Sequence, residues 1–391
     1  MHRSDLDSLK ASGTEQRSVP FVLMRGGTSK AVFLRSEHVP EGAAAADAMI
    51  LALFGSPDPR QIDGLGGADL LTSKLAIIGP TTRPDADIDY TFAQVSITEA
   101  VVDYDINCGN ISAAVGAYAV DEGLVPVVVP VTTVAIHNTN TGRVLRAGVP
   151  IVDGRAAVEG SYRVHGVPGT GAPISLDFAQ TAGGITGSLL PTGNVSDVLD
   201  TEIGPVEVTI VDLANLTVFM RAEAVGMRGN ETPGEFTEGN LEAISAVKAS
   251  AATLLGMPTD GLTPVPAIVS EPAAYVAYGS EDKVEASEID LVARVVGGRP
   301  PVVHKAYPGT VAACTGVAAS IEGTTVHAVT SPDRVDATRF AIGHPAGVMP
   351  VTARVARSAG NWEAEEATYL RTARRIAQGE AFIRNDGVLP G

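Results

Sequence analysis

Two stretches of this chain repeat the same order of elements, and such a duplication limits the fold more than composition does. The first half opens with VPFVLMRGGTSKAVFLR (residues 19–35), an apolar run, a glycine turn and a second apolar run. The second half carries VEVTIVDLANLTVFMRA (206–222), with the same outline. Each is followed by an alanine-rich helix ending at Gly–X–Pro, the first from Glu41 to Pro57 and the second from Asn240 to Pro258. Further on, each half has a cysteine opening a run of small residues: NCGNISAAVGAYAVDEG from Asn107 and ACTGVAASIEG from Ala313. The intervals are comparable, 53 positions from Gly55 to Cys108 and 58 from Gly256 to Cys314. Three matches in one order predict a duplicated architecture. The small residues predict helices enclosed by a curved sheet, where bulky side chains would not fit.

The expected fold class is α+β, with two similar lobes, each a curved sheet around a central helix. A ligand cleft between lobes is the default site. The boundary falls in the glycine-rich DFAQTAGGITGSLLPTGN (177–194), giving an N-terminal lobe over 1–188 and a C-terminal lobe over 189–391. A return of the last strand to the first lobe stays open. Residues 1–18 read as a disordered tail. The 391 residues, 45% of them hydrophobic, suffice for two cores. Val, Ile and Thr runs favour strands over helices.

A net charge of −17 leaves no basic stripe for nucleic acid. An enzyme of anions built on this chain must gather its few cations in the pocket. The two cysteines, Cys108 and Cys314, make no disulfide framework. The N-terminus lacks an apolar signal core, and no apolar run approaches the roughly 20 residues that cross a bilayer. A cytoplasmic protein without a membrane partner is expected, and a homo-oligomer stays open.

Four glycine-rich segments carry polar groups: MRGGTSK (24–30), DGLGGADLLTSK (63–74), NCGN (107–110) and IGHPAG (342–347). Glycines let a backbone approach a ligand and expose its N–H groups. Arg25, Thr28 and Ser29 beside such a turn suit a carboxylate, although a solvated hairpin is an equal reading. The P-loop spacing is absent, so no nucleotide is expected. Cys108 lies at the expected N-terminus of a helix, where the dipole favours a thiolate or a bound carboxylate. Cys314, in a more apolar setting, reads as structural. Lys74 precedes the apolar run LAIIG, and burying an ammonium is costly unless it is used or paired. Burial would pull its pKa from about 10.4 toward neutrality, suiting a general base. Lys30, after Thr28–Ser29, is its rival. The seven histidines show no metal-ligand spacing, so no metal or cofactor is expected. His344 is the histidine expected to touch a ligand, with turn stabilisation as the alternative.

Taken together, MRGGTSK, QIDGLGGADLLTSKLAIIG, DYTFAQVSI, NCGNISAAVG, LLPTGN, GHPAG and RTARRIAQGEAF resemble one family in content and order. It contains methylitaconate delta-isomerase, methylaconitate cis-trans isomerase and oxalomesaconate tautomerase. RPDADIDYTFAQVSITEAVVDY, HNTNTG and HGVPGTGAP are most similar to the methylitaconate delta-isomerases. The resemblance implies a diaminopimelate epimerase-like fold and a cofactor-independent allylic proton shift in a small unsaturated di- or tricarboxylate. It implies Lys74 and Cys108 as the catalytic pair. Arg25, Thr28, Ser29, Gly109, Asn110, Thr315, Gly316 and His344 are the candidate substrate-binding residues. Two further readings stay open. One is an amino-acid epimerase or racemase using Cys108 and Cys314, since Cys314 is expected at the second epimerase-like position. The other is a non-catalytic carboxylate-binding accessory protein.

Overall fold

The computed structural model describes residues 15–104, 108–298, 300–332, 338–358 and 360–384. Most of the expected N-terminal tail, and Asn107 of NCGN, lie outside the described residues. The tail ends earlier than expected, because the strand Gln16–Gly26 already includes Gln16, Arg17 and Ser18. These pair with Arg384, Ile383 and Phe382 of the strand Ala373–Arg384, which gives one edge of their backbone its partners.

The duplication is written in the strand pairings. Gln16–Gly26 is antiparallel to Ser29–Arg35, which runs parallel to Lys74–Pro80. The latter is antiparallel to Ile88–Val95, which is parallel to Val131–Asn138. Arg143–Val152 and Ile174–Asp177 follow, each antiparallel to the strand before it. From Gly204 the same alternation recurs through Asn215–Arg221, Val265–Ser270, Leu291–Gly297, Arg339–His344, Gly347–Ser358 and Asn361–Arg371. The last strands of the two series pair with each other. The chain then crosses back, and Ala373–Arg384 covers Gln16–Gly26 along its length.

Four α-helices stand among the described residues: α1 (Ala43–Phe54), α2 (Gly109–Asp121), α3 (Glu238–Leu254) and α4 (Gly309–Ala319). Helices α1 and α3 lie on the outside. In α3 the buried positions Ala243, Ile244, Val247, Ala251 and Ala252 form one stripe, and the Thr237–Asn240 capping box satisfies its first turn. Ile244 and Val247 are fully buried, a gain of roughly 1.5–3 kcal/mol each. Gly55, in the left-handed region at φ 71°, ends α1 where the Gly–X–Pro signal placed it.

The small-residue helices α2 and α4 are enclosed. Every residue of α4 and all of α2 except Asp121 are buried. Only small side chains allow the sheet this close. A Cβ on Gly116 would lie 2.7 Å from the Ala147 methyl, and one on Gly316 would lie 2.9 Å from Val351 Cγ2. Both glycines are eighth in their helices, which fixes the true register of the repeat. In that register Cys108, the residue capping α2, corresponds to Pro308, which caps α4. Matching Cys108 with Cys314 was therefore out of register. The start signal of α4 is Pro308–Gly309, a proline that cannot continue a helix backward, not the cysteine several residues inside it.

Candidate active site

The site is built where the first hairpin turn meets the N-terminus of α2. A Cβ on Gly26 would lie 2.3 Å from the Asn110 carbonyl oxygen, and one on Gly27 would lie 2.2 Å from Asn110 Oδ1. Gly27 also takes φ +50°. Glycine at both positions lets the turn lie directly on the helix. Asn110 Nδ2 then donates to Thr28 Oγ1 at 3.0 Å, while its Oδ1 accepts from Arg371 Nε at 2.9 Å. Arg371 is 3% exposed. Among the described residues its other partners are the Leu370 carbonyl, Met349 Sδ and the face of Tyr369, 4.7 Å from ring centre to guanidinium carbon. All are neutral. Burial pulls its pKa below the usual arginine value, yet the group stays cationic. A buried cation among neutral partners is a ready site for an anion.

Lys74 starts its strand at the same rim, in register with Ala31, two residues from the turn. Ala76 and Ile78 belong to the core around α2, so strand alternation turns Lys74 inward as well. It is 7% exposed. Its Nζ donates to Gln94 Oε1 at 2.6 Å and lies 5.2 Å from the centre of the Phe92 ring. Gln94 Nε2 donates to the Ser73 and Leu70 carbonyls, which fixes the amide so that its oxygen meets the ammonium. The loop before Lys74 is held by buried Gln61. Its Oε1 accepts from Ala68 N and Ser73 Oγ, and its Nε2 donates to Ser56 Oγ. Ser29 also points inward and is buried, its hydroxyl unpartnered among the described residues. Lys30 and Arg25 sit at the outward-facing positions of their strands. Arg25 Nη1 donates to the Gly27 and Thr372 carbonyls at 3.0 and 2.8 Å. It braces the turn from behind rather than facing the site.

Cys108 is half-buried at the N-cap of α2, and its carbonyl accepts from Ser112 N and Ser112 Oγ. The N–H groups of Gly109 and Asn110, in the first turn of α2, have no partner within the helix, and its dipole adds positive character there. From the second lobe, His344 is 2% exposed, and its Nδ1 accepts from Ala346 N at 3.2 Å. It lines a cavity of about 10 Å³ with Thr28, His165, Tyr307 and Arg371. Burial, then the Arg371 charge, push its pKa well below the usual 6.5, so it is neutral. His304 is also held neutral by burial, and Lys74 lies close enough to add to the effect. Lys74 of one series is therefore within electrostatic reach of His304 of the other.

Three further candidates fall elsewhere. Cys314 is wholly buried, its Sγ 3.6 Å from the Val211 carbonyl, and burial pushes its thiol up to about 12. Thr315 Oγ1 bonds Tyr307 Oη and the Val311 carbonyl, and Gly316 packs on Val351. All three are core residues in the body of α4, away from its N-terminus. Arg371, Tyr369, Gln94 and His304 were missed as site residues, although RTARRIAQGEAF begins at Arg371 and DYTFAQVSI contains Gln94. Among the described residues no three His, Cys, Asp or Glu side chains gather as metal ligands, and no helix is long and apolar enough to cross a membrane.

The fold and the chain match known proteins over nearly their full length. The 3-methylitaconate isomerase of Eubacterium barkeri is 48% identical over 381 residues, covering 95% of this chain and 98% of its own. A crystal structure of methylitaconate-delta-isomerase superposes with a TM-score of 0.84 at 47% identity, covering 97% of this chain and 98% of that one. A hydroxyproline epimerase from Agrobacterium vitis shares the fold at 13% identity, with a TM-score of 0.56 over 95% of this chain and 94% of its own. The architecture is the diaminopimelate epimerase-like α+β fold. With its family model matching residues 16–384, the chain belongs to the PrpF protein family.

Proposed function

We propose that the protein is an isomerase that moves a proton, and with it a double bond, within a small unsaturated polycarboxylate. Its similarity to isomerases over the whole chain supports the reaction class. The observation that carries the substrate class is the pair of buried cations, Lys74 and Arg371, whose hydrogen-bond partners among the described residues are all neutral. Both open on the rim where α2 presents its N-terminus. Such a rim suits a dianion: one carboxylate against Arg371 and the Gly109–Asn110 N–H groups, the other toward Lys74.

In this reading the Lys74 ammonium first releases one proton to solvent, and the amine then removes a proton from the carbon γ to a carboxylate across the double bond. The electron pair moves into a dienolate whose charge rests on carboxylate oxygens held by Arg371 and the helix N–H groups. Cys108 gives its proton to the α carbon, and the double bond has moved. The ammonium of Lys74 and the thiolate of Cys108 are reset by proton exchange. In the reverse direction the two roles interchange. No electron is gained or lost, so the reaction calls for no redox cofactor. The reading takes 1–188 and 189–391 as two lobes with the reaction between them, in the cytoplasm.

The test is to incubate the protein with methylitaconate, methylaconitate, aconitate and oxalomesaconate in deuterated water. NMR should show deuterium entering an allylic position as one isomer converts to another. A panel with neither exchange nor conversion would sink the proposal. A two-thiol epimerase is disfavoured because Pro308 stands where the second thiol is needed.

A further inference from the structure

Tyr369 is 1% exposed, and its hydroxyl has no partner among the described residues. The phenol stands between the first residues of the two enclosed helices. A methyl group on Gly109 would lie 2.0 Å from its oxygen, and one on Gly309 would lie 2.5 Å from it. Gly109 directly follows Cys108. The ring is held between its neighbours: Phe178 stacks on it with planes 5° apart and Arg371 covers it with its guanidinium. A buried hydroxyl left without a partner is costly and is retained for a reason. Burial, outweighing the opposing Arg371 charge, keeps this phenol protonated. It is a donor at any working pH.

We propose that Tyr369 is a positioning residue for Cys108, its hydroxyl donating to the sulfur each time the thiol gives up its proton. This rests on reading Cys108 as an acid–base group. The other groups that feel the Cys108 charge are Arg371, from the same strand as Tyr369, and Tyr90, from the strand Ile88–Val95. Tyr90 Oη is likewise buried without a hydrogen-bond partner among the described residues and lies near Ser112, one turn into α2, whereas Tyr369 Oη abuts Gly109, the residue next to the sulfur. The assignment therefore goes to Tyr369.

The experiment is the pH dependence of alkylation of the full chain by iodoacetamide, with the site verified by mass spectrometry. Cys314 is buried and its thiol is held up to about 12, so the label reports Cys108. Tyr369→Phe keeps the ring and removes only the donor. It should move the midpoint up by about one pH unit, a tenfold loss of thiolate below it. It should also lower kcat roughly tenfold while KM stays within about threefold. An unchanged midpoint overturns the proposal even if turnover falls, as does a larger shift in Tyr90→Phe than in Tyr369→Phe. Should Tyr369→Phe fail to fold by circular dichroism, Gly309→Ala takes its place. Its methyl would press on the phenol carbon 2.4 Å away and move the ring off the helix ends. The same upward shift is expected, and no shift refutes the assignment. The titration needs no substrate, so a shifted midpoint in a chain that isomerises none of the acids would sink the reaction and leave Tyr369 in its role.

Discussion

Arg371 Nε donates to Asn110 Oδ1 at 2.9 Å, tying the end of the second series of strands to the first turn of the helix in the first. The bond does two things. It fixes the amide of Asn110 so that Nδ2 faces Thr28, and it holds at the seam a guanidinium whose hydrogen-bond partners among the described residues include no carboxylate. Arg371→Lys keeps the charge but cannot reproduce the planar fork. It should raise KM for the polycarboxylate at least about tenfold, with a smaller change in kcat. Arg371→Met should cost more. It removes the cation and leaves Asn110 Oδ1 buried and unpaired, a penalty of about 1–3 kcal/mol that thermal unfolding would register. A KM unchanged in both variants would remove Arg371 from the site.

Lys74→Ala should leave the fold intact and reduce isomerisation by roughly a hundred- to ten-thousand-fold. The residue starts a strand whose later inward positions, Ala76 and Ile78, make the core contacts, so truncation at the rim removes little packing. Circular dichroism should match the parent while deuterium exchange into substrate disappears. Wild-type exchange in the variant would exclude Lys74 as the base.

The repeat was legible because the second half keeps the same punctuation as the first: a hairpin, a helix stopped by Gly–X–Pro, and a run of small residues. The strand entry at Lys74 was legible for a similar reason, since a charged residue directly before LAIIG needs an explanation. The register of α4 was not. Alanine, glycine and threonine fill the body of that helix as readily as its ends, so the cysteine looked like a landmark. Pro308–Gly309 marked the true start. Arg25 was the expected arginine because it stands in the glycine turn, whereas strand alternation turns its side chain to the outer face. Arg371 lies 261 positions from Asn110, and nothing local in YLRTARR announces that partner. Long-range pairing of this kind is set by topology, above all by the strand Asn361–Arg371 joining the two series.

The two cysteines should behave differently. Cys108→Ser should slow turnover strongly, because a hydroxyl is a far weaker acid than a thiol at the same helix N-terminus. Cys314→Ser should retain turnover within a few-fold. The serine hydroxyl inherits the Val211 carbonyl as its acceptor, and the site lies elsewhere. Steady-state rates on one substrate, with each fold checked by thermal unfolding, decide the matter. Equal and severe losses would restore the two-thiol reading that Pro308 argues against.

Stability should fall as pH drops below about 6.5, before any carboxylate is titrated. Above that pH, His344 is neutral in both the folded and unfolded chain and contributes no pH dependence. Below it, the unfolded chain binds a proton at this histidine, whereas burial and Arg371 keep the folded side chain neutral. The unfolded state then binds more protons, so unfolding is favoured by about 1.4 kcal/mol per pH unit for this one group. His304 is also lowered by burial and acts in the same direction. The slope ends only where the folded histidines protonate. Urea midpoints measured from pH 7.5 to 5 should therefore fall steadily below 6.5. His344→Gln should flatten part of that fall, because a glutamine in its place has no proton to gain. A midpoint flat down to pH 5, or an unchanged slope in the variant, would show that His344 is not held neutral in the folded chain.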